Sequence, residues 1–308
     1  MHRADNTRTK MKSENEILVE QLYKNILNRD GDQGGVMSAS NALDVSNNRD
    51  ATIIELIKGF LSSEEYLARM REHPEIVKRV TGHGEKKTIN GMPARHIISL
   101  GTHCLTSSLL RNFGLRRYSL PFDWTFSSPQ AMLHCFRDNL QTFLDPAHYR
   151  TVTRKRETTD AGADHVFYLK KYGIIEMFAH RDPSTESDYA ELLKTTDRFR
   201  RLLSSQEAKL FVMIDRPRRR PLRIFRSLSR EINRMTQNSA FIYIQLRNPT
   251  MKAGVRSIRA IKKIGNHASY EFTPSSNELG IKFDDPIDNL SIIELIQQYE
   301  IDLSECAP

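Results

Sequence analysis

The feature that most constrains the fold is an alternation between short apolar runs and longer segments with helical periodicity. The runs HIISLG (His96–Gly101), KLFVMID (Lys209–Asp215) and AFIYIQL (Ala240–Leu246) have the length and the β-branched or aromatic content of buried strands. Amphipathic patterns over Tyr189–Leu203 and Pro221–Met235 lie between these runs. The alternation predicts an α/β fold with a mostly parallel sheet flanked by helices.

Two further segments extend this prediction. HVFYLKKYGIIEMFAH (His165–His180) is rich in β-branched and aromatic residues, so we expect it to supply another strand. SIIELIQQYE (Ser291–Glu300) has helical spacing and is expected to form a last helix near the end of the chain.

The first part of the chain predicts a small all-helical domain over residues 15–80. Apolar residues recur at helical spacing in Ile17–Leu27 and Ile53–Ile57, and the turn formers NRDGDQGG follow the first pattern. SSEEYLARM has a serine followed by acidic residues, which is typical of a helix start. We expect residues 1–14 to form a disordered tail and the glycine-rich residues 81–94 to link this domain to an α/β domain over residues 95–308.

The composition is that of a globular protein. The 308 residues are 39% hydrophobic and 27% charged, which suffices for one sizeable core. Lys and Arg number 46 against 38 acidic residues, and the net charge of +8 favours anionic partners without selecting among nucleic acid, phosphate and acidic glycan. No segment has the apolar core of a signal peptide or the roughly twenty apolar residues of a membrane span, so we expect a cytoplasmic protein.

The three cysteines, Cys104, Cys135 and Cys306, form an odd and widely spaced set. Their spacing matches neither a metal site nor a disulfide framework, so we predict no metal, no cofactor and at least one free thiol. A free thiol is consistent with a reducing cytoplasm.

Three chemically active side chains follow predicted strands: Cys104 after HIISLG, His180 after GIIEMFA, and Asp215 after KLFVMI. If these strands are parallel, their carboxyl ends meet at one edge of the sheet, where ligands of such folds bind. A thiol, an imidazole and a carboxylate there would act as nucleophile, base and orienting group. A helix that starts at Cys104 would favour the thiolate and offer backbone N–H groups to an oxyanion.

Each of these residues also has a structural interpretation. A single cysteine between a strand and a helix is more often a small buried residue than a nucleophile. His180 could instead cap a helix, Asp215 could pair with Arg216, and His103, beside the thiol, competes with His180 for the role of base.

The segment SLGTHCLTSSLLRNFGLRRYSLPFDWTFSSP (Ser99–Pro129) resembles a bacterial family of unknown function described as putative papain-like cysteine peptidases. The shared motifs are Ser-Leu-Gly-x-x-Cys, a Leu-Arg pair and Pro-Phe-Asp-Trp, with YGIIEMFAH and TTDRFRRLL as later matches. The resemblance covers about residues 95–250 and implies a Cys104/His180 site. It also places Asp123 and Trp124 in a turn.

The resemblance leaves two points open. Asp123 would either orient a histidine or bind turn amides, with Asp215 as the alternative orienting residue, and Trp124 would form a wall. A papain-like fold packs its nucleophile helix against an antiparallel sheet, whereas the periodicity of this chain favours alternating strands and helices. We therefore take the architecture from the periodicity and the site from the motif.

The helical region also resembles a known domain. LYKNILNRDGDQGG followed by IIELIKGFLSSEEYLAR is similar to a small domain of unknown function in bacterial surface, exopolysaccharide and glycosyltransferase proteins, although VMSASNALDVSNNRD departs from its pattern. The resemblance implies an accessory module that docks a protein partner.

The densest positive segment is RPRRRPLRIFRSLSR (Arg216–Arg230). It would either contact phosphate or form a basic, exposed helix face with apolar residues packed inward. It lacks a recognised nucleic-acid motif, so we expect no nucleic acid. Because it follows Asp215, an anionic glycan or nucleotide sugar remains a candidate ligand, with Arg216, His103 and Trp124 as substrate-binding residues.

These patterns predict a cysteine-dependent hydrolase or acyltransferase that acts on a peptide or another acyl compound. Cys104 is the expected nucleophile, His180 the base and then the acid, and Asp123 or Asp215 the orienting group. The alternative is a non-catalytic accessory or glycan-modifying protein of bacterial surface-polysaccharide assembly that binds an anionic ligand.

Overall fold

The computed structural model describes residues 12–72, 86–152, 162–216, 220–248 and 256–304. The chain divides into two compact units, Met1–Arg69 and Met70–Pro308. Three predicted segments lie partly outside the described residues: the tail (residues 1–11), the end of the helical domain (residues 73–80) and the start of the linker (residues 81–85). The domain boundaries therefore stay a prediction.

The first unit is helical, as the sequence predicts. Its helices are α1 (Glu14–Leu22), α2 (Gln33–Asp44), α3 (Arg49–Ser62) and α4 (Glu64–Glu72). The side chains of Ser13, Asp32 and Asn48 accept hydrogen bonds from first-turn amides of α1, α2 and α3, which explains where these helices start. Val19, Val36 and Leu43 form the buried core of this unit.

The second unit contains a five-stranded sheet. In chain order its strands are β1 (His96–Ser99), β4 (Lys209–Asp215), β5 (Ser239–Leu246), β6 (Ser257–Ile264) and β7 (His267–Thr273), with the short strands β2 (Tyr149–Thr151) and β3 (Ala163–His165) forming a separate pair. The sheet order is β1-β4-β5-β7-β6. All its neighbours are parallel except β6, which is antiparallel to β7. The predicted α/β class with a mostly parallel sheet is confirmed.

Seven α-helices of the second unit are described. They are α5 (Leu105–Asn112), α6 (Pro129–Arg137), α7 (Gln141–Leu144), α8 (Val166–Tyr172), α9 (Glu186–Ser204), α10 (Pro221–Met235) and α11 (Pro286–Gln297). Every residue of β4 and β5 is buried, as expected for central strands covered on both faces. Among the described helices, none has the length and hydropathy needed to cross a bilayer.

The prediction of a strand over His165–His180 is wrong for most of that segment. Val166–Tyr172 forms α8, which ends at Gly173 in the left-handed conformation (φ 69°). Glycine in this conformation is a common helix terminator, so the residue is a stop signal that the aromatic content of the segment obscured. Beyond Gly173, Phe178 makes isolated bridges with Thr125 and Ala163, and it belongs to neither sheet.

The antiparallel hairpin of β6 and β7 was not predicted. Its turn contains Gly265, with φ 55°, followed by Asn266, which is a recognisable turn signal between two runs of β-branched and aromatic residues. β6 lies at the sheet edge and most of its side chains are exposed, so its apolar pattern is weak. In the described part of the predicted linker, Lys87 and Ala94 form bridges with Tyr299 and Ile301 near the other end of the chain.

An aromatic cluster occupies the core between the sheet and its helices. The ring centroid of Phe122 lies 6.0, 5.4 and 5.5 Å from those of Phe136, Phe143 and Phe199. All four rings are buried, and Phe122 is two residues before Trp124 in the turn that the sequence motif singles out.

We predict that Phe122→Ala lowers the free energy of unfolding by about 3–5 kcal/mol, because it removes a buried ring and leaves a cavity among three others. Urea unfolding followed by circular dichroism measures this loss, with the half-exposed Ile175→Ala as the control. A loss for Phe122→Ala as small as that of the control would contradict this description of the core.

Candidate active site

The turn after β1 places Cys104 at the start of α5. β1 ends at Ser99, whereas its neighbour β4 continues to Asp215. Thr102 Oγ1 donates to the carbonyl of Ile214 (2.9 Å), and Thr106 Oγ1 accepts from the amide of Ile214 (3.2 Å). Two side chains on either side of Cys104 thus satisfy backbone groups that β1 is too short to reach.

Residue 101 must be glycine because backbone oxygen atoms approach it closely in this turn. A Cβ atom at residue 101 would lie 3.0 Å from the carbonyl oxygen of Phe122 and 3.2 Å from that of His103. Both contacts are with backbone, which cannot move aside as a flexible side chain can. Glycine therefore lets the chain turn from β1 into α5 beside the segment that carries Asp123 and Trp124.

The thiol and imidazole expected from the sequence are in contact. Cys104 Sγ lies 3.5 Å from His180 Nε2, within hydrogen-bond distance for sulfur. Cys104 is 4% exposed and His180 is exposed. His180 follows Phe178, whose bridge with Thr125 fixes its loop, so the imidazole reaches the thiol from a loop and not from a strand end.

Trp124 lies beside this pair. Its ring centroid is 6.1 Å from that of His180 with an interplanar angle of 80°. The guanidinium carbons of Arg111 and Arg116 lie 4.9 and 5.4 Å from the Trp124 ring centroid. Trp124 has a φ of 59°, which is strained for a bulky residue and is commonly retained at functional sites.

Asp123 makes the contacts of a residue that holds the turn. Its carboxylate accepts from Ser107 Oγ (2.7 Å), Arg116 Nη1 (3.1 Å) and the Leu120 amide (2.9 Å). Its carbonyl accepts from Arg181 Nη2 at 3.3 Å, next to His180. Burial raises the pKa of the Asp123 carboxyl, while Arg116 and Ser107 oppose that rise. Of the two roles left open by the sequence, these contacts favour the structural one.

The remaining predicted residues line a neighbouring cleft of about 340 Å³. Asp215 is fully buried there and accepts from the Tyr243 hydroxyl at 3.0 Å. His103 Nδ1 lies 2.9 Å from Thr102 Oγ1, and because that hydroxyl donates to Ile214, Nδ1 is the donor in this bond. His103 Nε2 lies 3.4 Å from Glu278 without meeting hydrogen-bond geometry.

Glu278 was not singled out by the sequence. Its carboxylate contacts His103 on one side and Arg216 Nε, at 3.1 Å, on the other. Burial by itself would raise the pKa of Glu278, but His103 and Arg216 outweigh this effect and lower the pKa to about 2. The seven candidate residues therefore fall into two groups: Cys104, His180, Asp123 and Trp124 around the thiol, and His103, Asp215 and Arg216 in the cleft.

Arg111 was also not predicted as a site residue, although its spacing from Cys104 was informative. It follows Cys104 by seven residues, so both project from one face of α5. Arg181 carried no such signal, because its position depends on a contact with Asp123 that only the folded chain creates.

A protein-family model described as "Putative papain-like cysteine peptidase" matches residues 95–250, which is 156 of the 308 residues. The chain belongs to this family. In this member of the family, the matched region contains the thiol, His180, Asp123 and Trp124, and it ends before β6. No curated protein and no solved structure matches the chain. The resemblance of residues 15–80 to a domain of exopolysaccharide proteins stays a prediction.

We predict that Asp123→Asn lowers the free energy of unfolding by about 1–3 kcal/mol, because it weakens charge-assisted hydrogen bonds and leaves Arg116 without its buried counter-charge. The alkylation rate of Cys104 as a function of pH should not change. Chemical unfolding and iodoacetamide labelling measure the two effects, with the exposed Asp284→Asn as the control. Unchanged stability together with an altered pH profile would instead identify Asp123 as an orienting residue for the imidazole.

Proposed function

We propose that this protein is a cysteine-dependent hydrolase in which Cys104 is the nucleophile and His180 the general base and acid. The observation that carries the proposal is the 3.5 Å contact between Cys104 Sγ and His180 Nε2. Membership of a papain-like cysteine peptidase family supports a thiol hydrolase and suggests a peptide substrate. The exposed face of His180 and the Trp124 ring give the direction from which a substrate would approach.

The proposed reaction begins with transfer of the thiol proton to His180 Nε2. The Cys104 sulfur then forms a bond to the substrate carbonyl carbon, and the carbonyl oxygen becomes an oxyanion. Cys104 is the N-cap of α5 without a side-chain cap hydrogen bond, so first-turn amides of α5 are candidate oxyanion donors. The imidazolium returns its proton to the leaving group as the carbon–leaving-group bond breaks.

The second half of the reaction resolves the thioester left on Cys104. His180 takes a proton from water, the water oxygen bonds to the acyl carbon, and the carbon–sulfur bond breaks to release the acid. The thiolate and imidazolium are then restored. If an amine or hydroxyl replaces water in this step, the same residues perform acyl transfer.

One observation favours the alternative of a non-catalytic accessory protein, namely the low exposure of Cys104 at 4%. A buried thiol without an activating partner packs as a small apolar residue. The two functions differ in what they predict for Cys104 reactivity, since a base in contact with the sulfur increases its thiolate fraction and a packing partner does not.

We predict that Cys104 alkylation by iodoacetamide has an apparent pKa at least about one unit below the free-thiol value of about 8.5. The imidazolium of His180 stabilises the thiolate, so His180→Ala should raise this apparent pKa and slow labelling at neutral pH about tenfold or more. Mass spectrometry of labelled peptides gives the rate at each pH. A Cys306→Ser background removes the cysteine outside the described residues.

The chain supplies two controls. His103→Ala tests whether the histidine next to the thiol acts as the base, and we expect it to leave the labelling pKa unchanged because its nitrogens face Thr102 and Glu278. Cys135 is buried and its pKa is raised to about 12 by burial, so it should stay unlabelled while the protein is folded. Slow Cys104 labelling whose rate is the same in the wild type and in His180→Ala would contradict the proposal and favour the accessory function.

A further inference from the structure

A groove of about 380 Å³ lies between α6 and α10, and we call it the arginine groove. Its charged lining residues are Arg137 of α6, Arg220 immediately before α10, and Arg223 in the first turn of α10. The other side chains that line it, among the described residues, are uncharged. Cys104, His180 and the cleft of His103 form no part of its lining.

The positive charge of the groove is poorly balanced. Within the described parts of the chain, the side chains of Arg220 and Arg223 have neither an ion pair nor a hydrogen bond. Arg137 lies 3.3 Å from Glu231, but that carboxylate also binds Arg234 at 2.7 Å. Among the described residues, the three arginines that line the groove therefore have one carboxylate partner, Glu231, and they share it with Arg234 outside the groove.

The backbone adds to this positive potential. Gln130 and Arg220 line the groove at the start of α6 and α10, while Arg137 and Glu231 meet further along both helices. The two helices therefore run in the same direction, and their N-termini, the positive ends of the helix dipoles, open at the same end of the groove. Neither helix has an acidic residue in its first turn to offset them.

The position of the groove is that of a ligand site in this fold. α10 follows the carboxyl end of β4, and α6 follows Ser127, whose amide binds the Thr102 carbonyl beyond the end of β1. Open sheets of parallel strands bind ligands at this edge. The groove thus shares the edge of the sheet that also carries Cys104.

We propose that the arginine groove binds the phosphoryl or diphosphoryl group of a small molecule. Guanidinium groups form bidentate hydrogen bonds with phosphate oxygens, and a dianion gains more than a carboxylate from three arginines and two helix dipoles. The volume exceeds that of a phosphate group and leaves space for an attached organic group. None of the described residues that line the groove is aromatic, so they offer no stacking surface for a nucleic-acid base.

The test is isothermal titration calorimetry of the full-length protein with inorganic pyrophosphate at constant ionic strength. We expect saturable binding with one site per chain. The double variant Arg220→Gln/Arg223→Gln should bind at least about tenfold more weakly, which corresponds to about 1.4 kcal/mol. Arg226→Gln and Arg230→Gln are matched controls, because these exposed arginines lie on the same helix outside the groove, and they should bind as the wild type does.

A second measurement needs no variant and so does not depend on how the double variant folds. Phenylglyoxal modifies accessible arginines, and pyrophosphate should slow the modification of Arg220 and Arg223 but not that of Arg226, as read by peptide mass spectrometry. This result is independent of whether Cys104 is a nucleophile.

Three outcomes of these two measurements would overturn the proposal. They are an absence of saturable pyrophosphate binding by the wild type, an equal loss of affinity in Arg226→Gln, and equal protection of all three arginines from phenylglyoxal. The last two would identify diffuse attraction to a basic surface. A single-stranded oligonucleotide that binds more tightly than pyrophosphate, with the same dependence on Arg220 and Arg223, would identify a nucleic-acid surface in place of a small-molecule site.

Discussion

The attachment of the Cys104 turn to the end of β4 is the constraint on which the candidate site depends. Thr102 and Thr106 bind the carbonyl and amide of Ile214, where the shorter β1 no longer provides partners. These two bonds hold the start of α5 against the end of β4. Gly101 allows the same turn to approach the backbone of Phe122. The position of the Cys104 thiol is therefore determined by the sheet and its turn, and not by contacts of the sulfur.

Buried polar groups then link this turn to the rest of the site. Ser107 of α5 donates to Asp123, and Arg116 and the Leu120 amide bind the same carboxylate, so the turn that carries Trp124 is tied to the helix that carries Cys104. The bridge between Thr125 and Phe178 joins the loop of His180 to that turn. Three separate segments thus place one thiol, one imidazole and one aromatic wall together.

Much of the architecture could be predicted from the sequence, because central strands and amphipathic helices have strong periodic patterns. β1, β4, β5, α9 and α10 fall close to their predicted positions. The contact between Cys104 and His180 was expected, but the strand assigned to His180 was wrong, and its loop reaches the site through Phe178. The family resemblance implied the same pair without depending on that strand.

The rest of the site depends on contacts between distant segments. Nothing local to Glu278 shows that it will face His103 and Arg216, and the motif around Asp123 could not separate an orienting carboxylate from one that holds a turn. The role of the basic segment Arg216–Arg230 likewise could not be decided from its sequence alone. Its sequence allowed either a phosphate contact or an exposed helix face, and only the packing of α10 beside α6 shows that Arg220 and Arg223 share a cavity with Arg137.

The proposed mechanism requires Cys104 and His180 to form a mutually stabilising thiolate and imidazolium pair. The most direct test is the pKa of His180, measured by NMR pH titration in the wild type and in Cys104→Ser, with His180→Gln to assign the signal. Because coupling between two titrating groups is reciprocal, the thiolate must raise the pKa of the imidazole as the imidazolium lowers that of the thiol. We predict a higher pKa for His180 in the wild type than in Cys104→Ser, where it should return towards the ordinary value of about 6.5. An identical pKa in both proteins would contradict the pair and leave Cys104 as a packing residue.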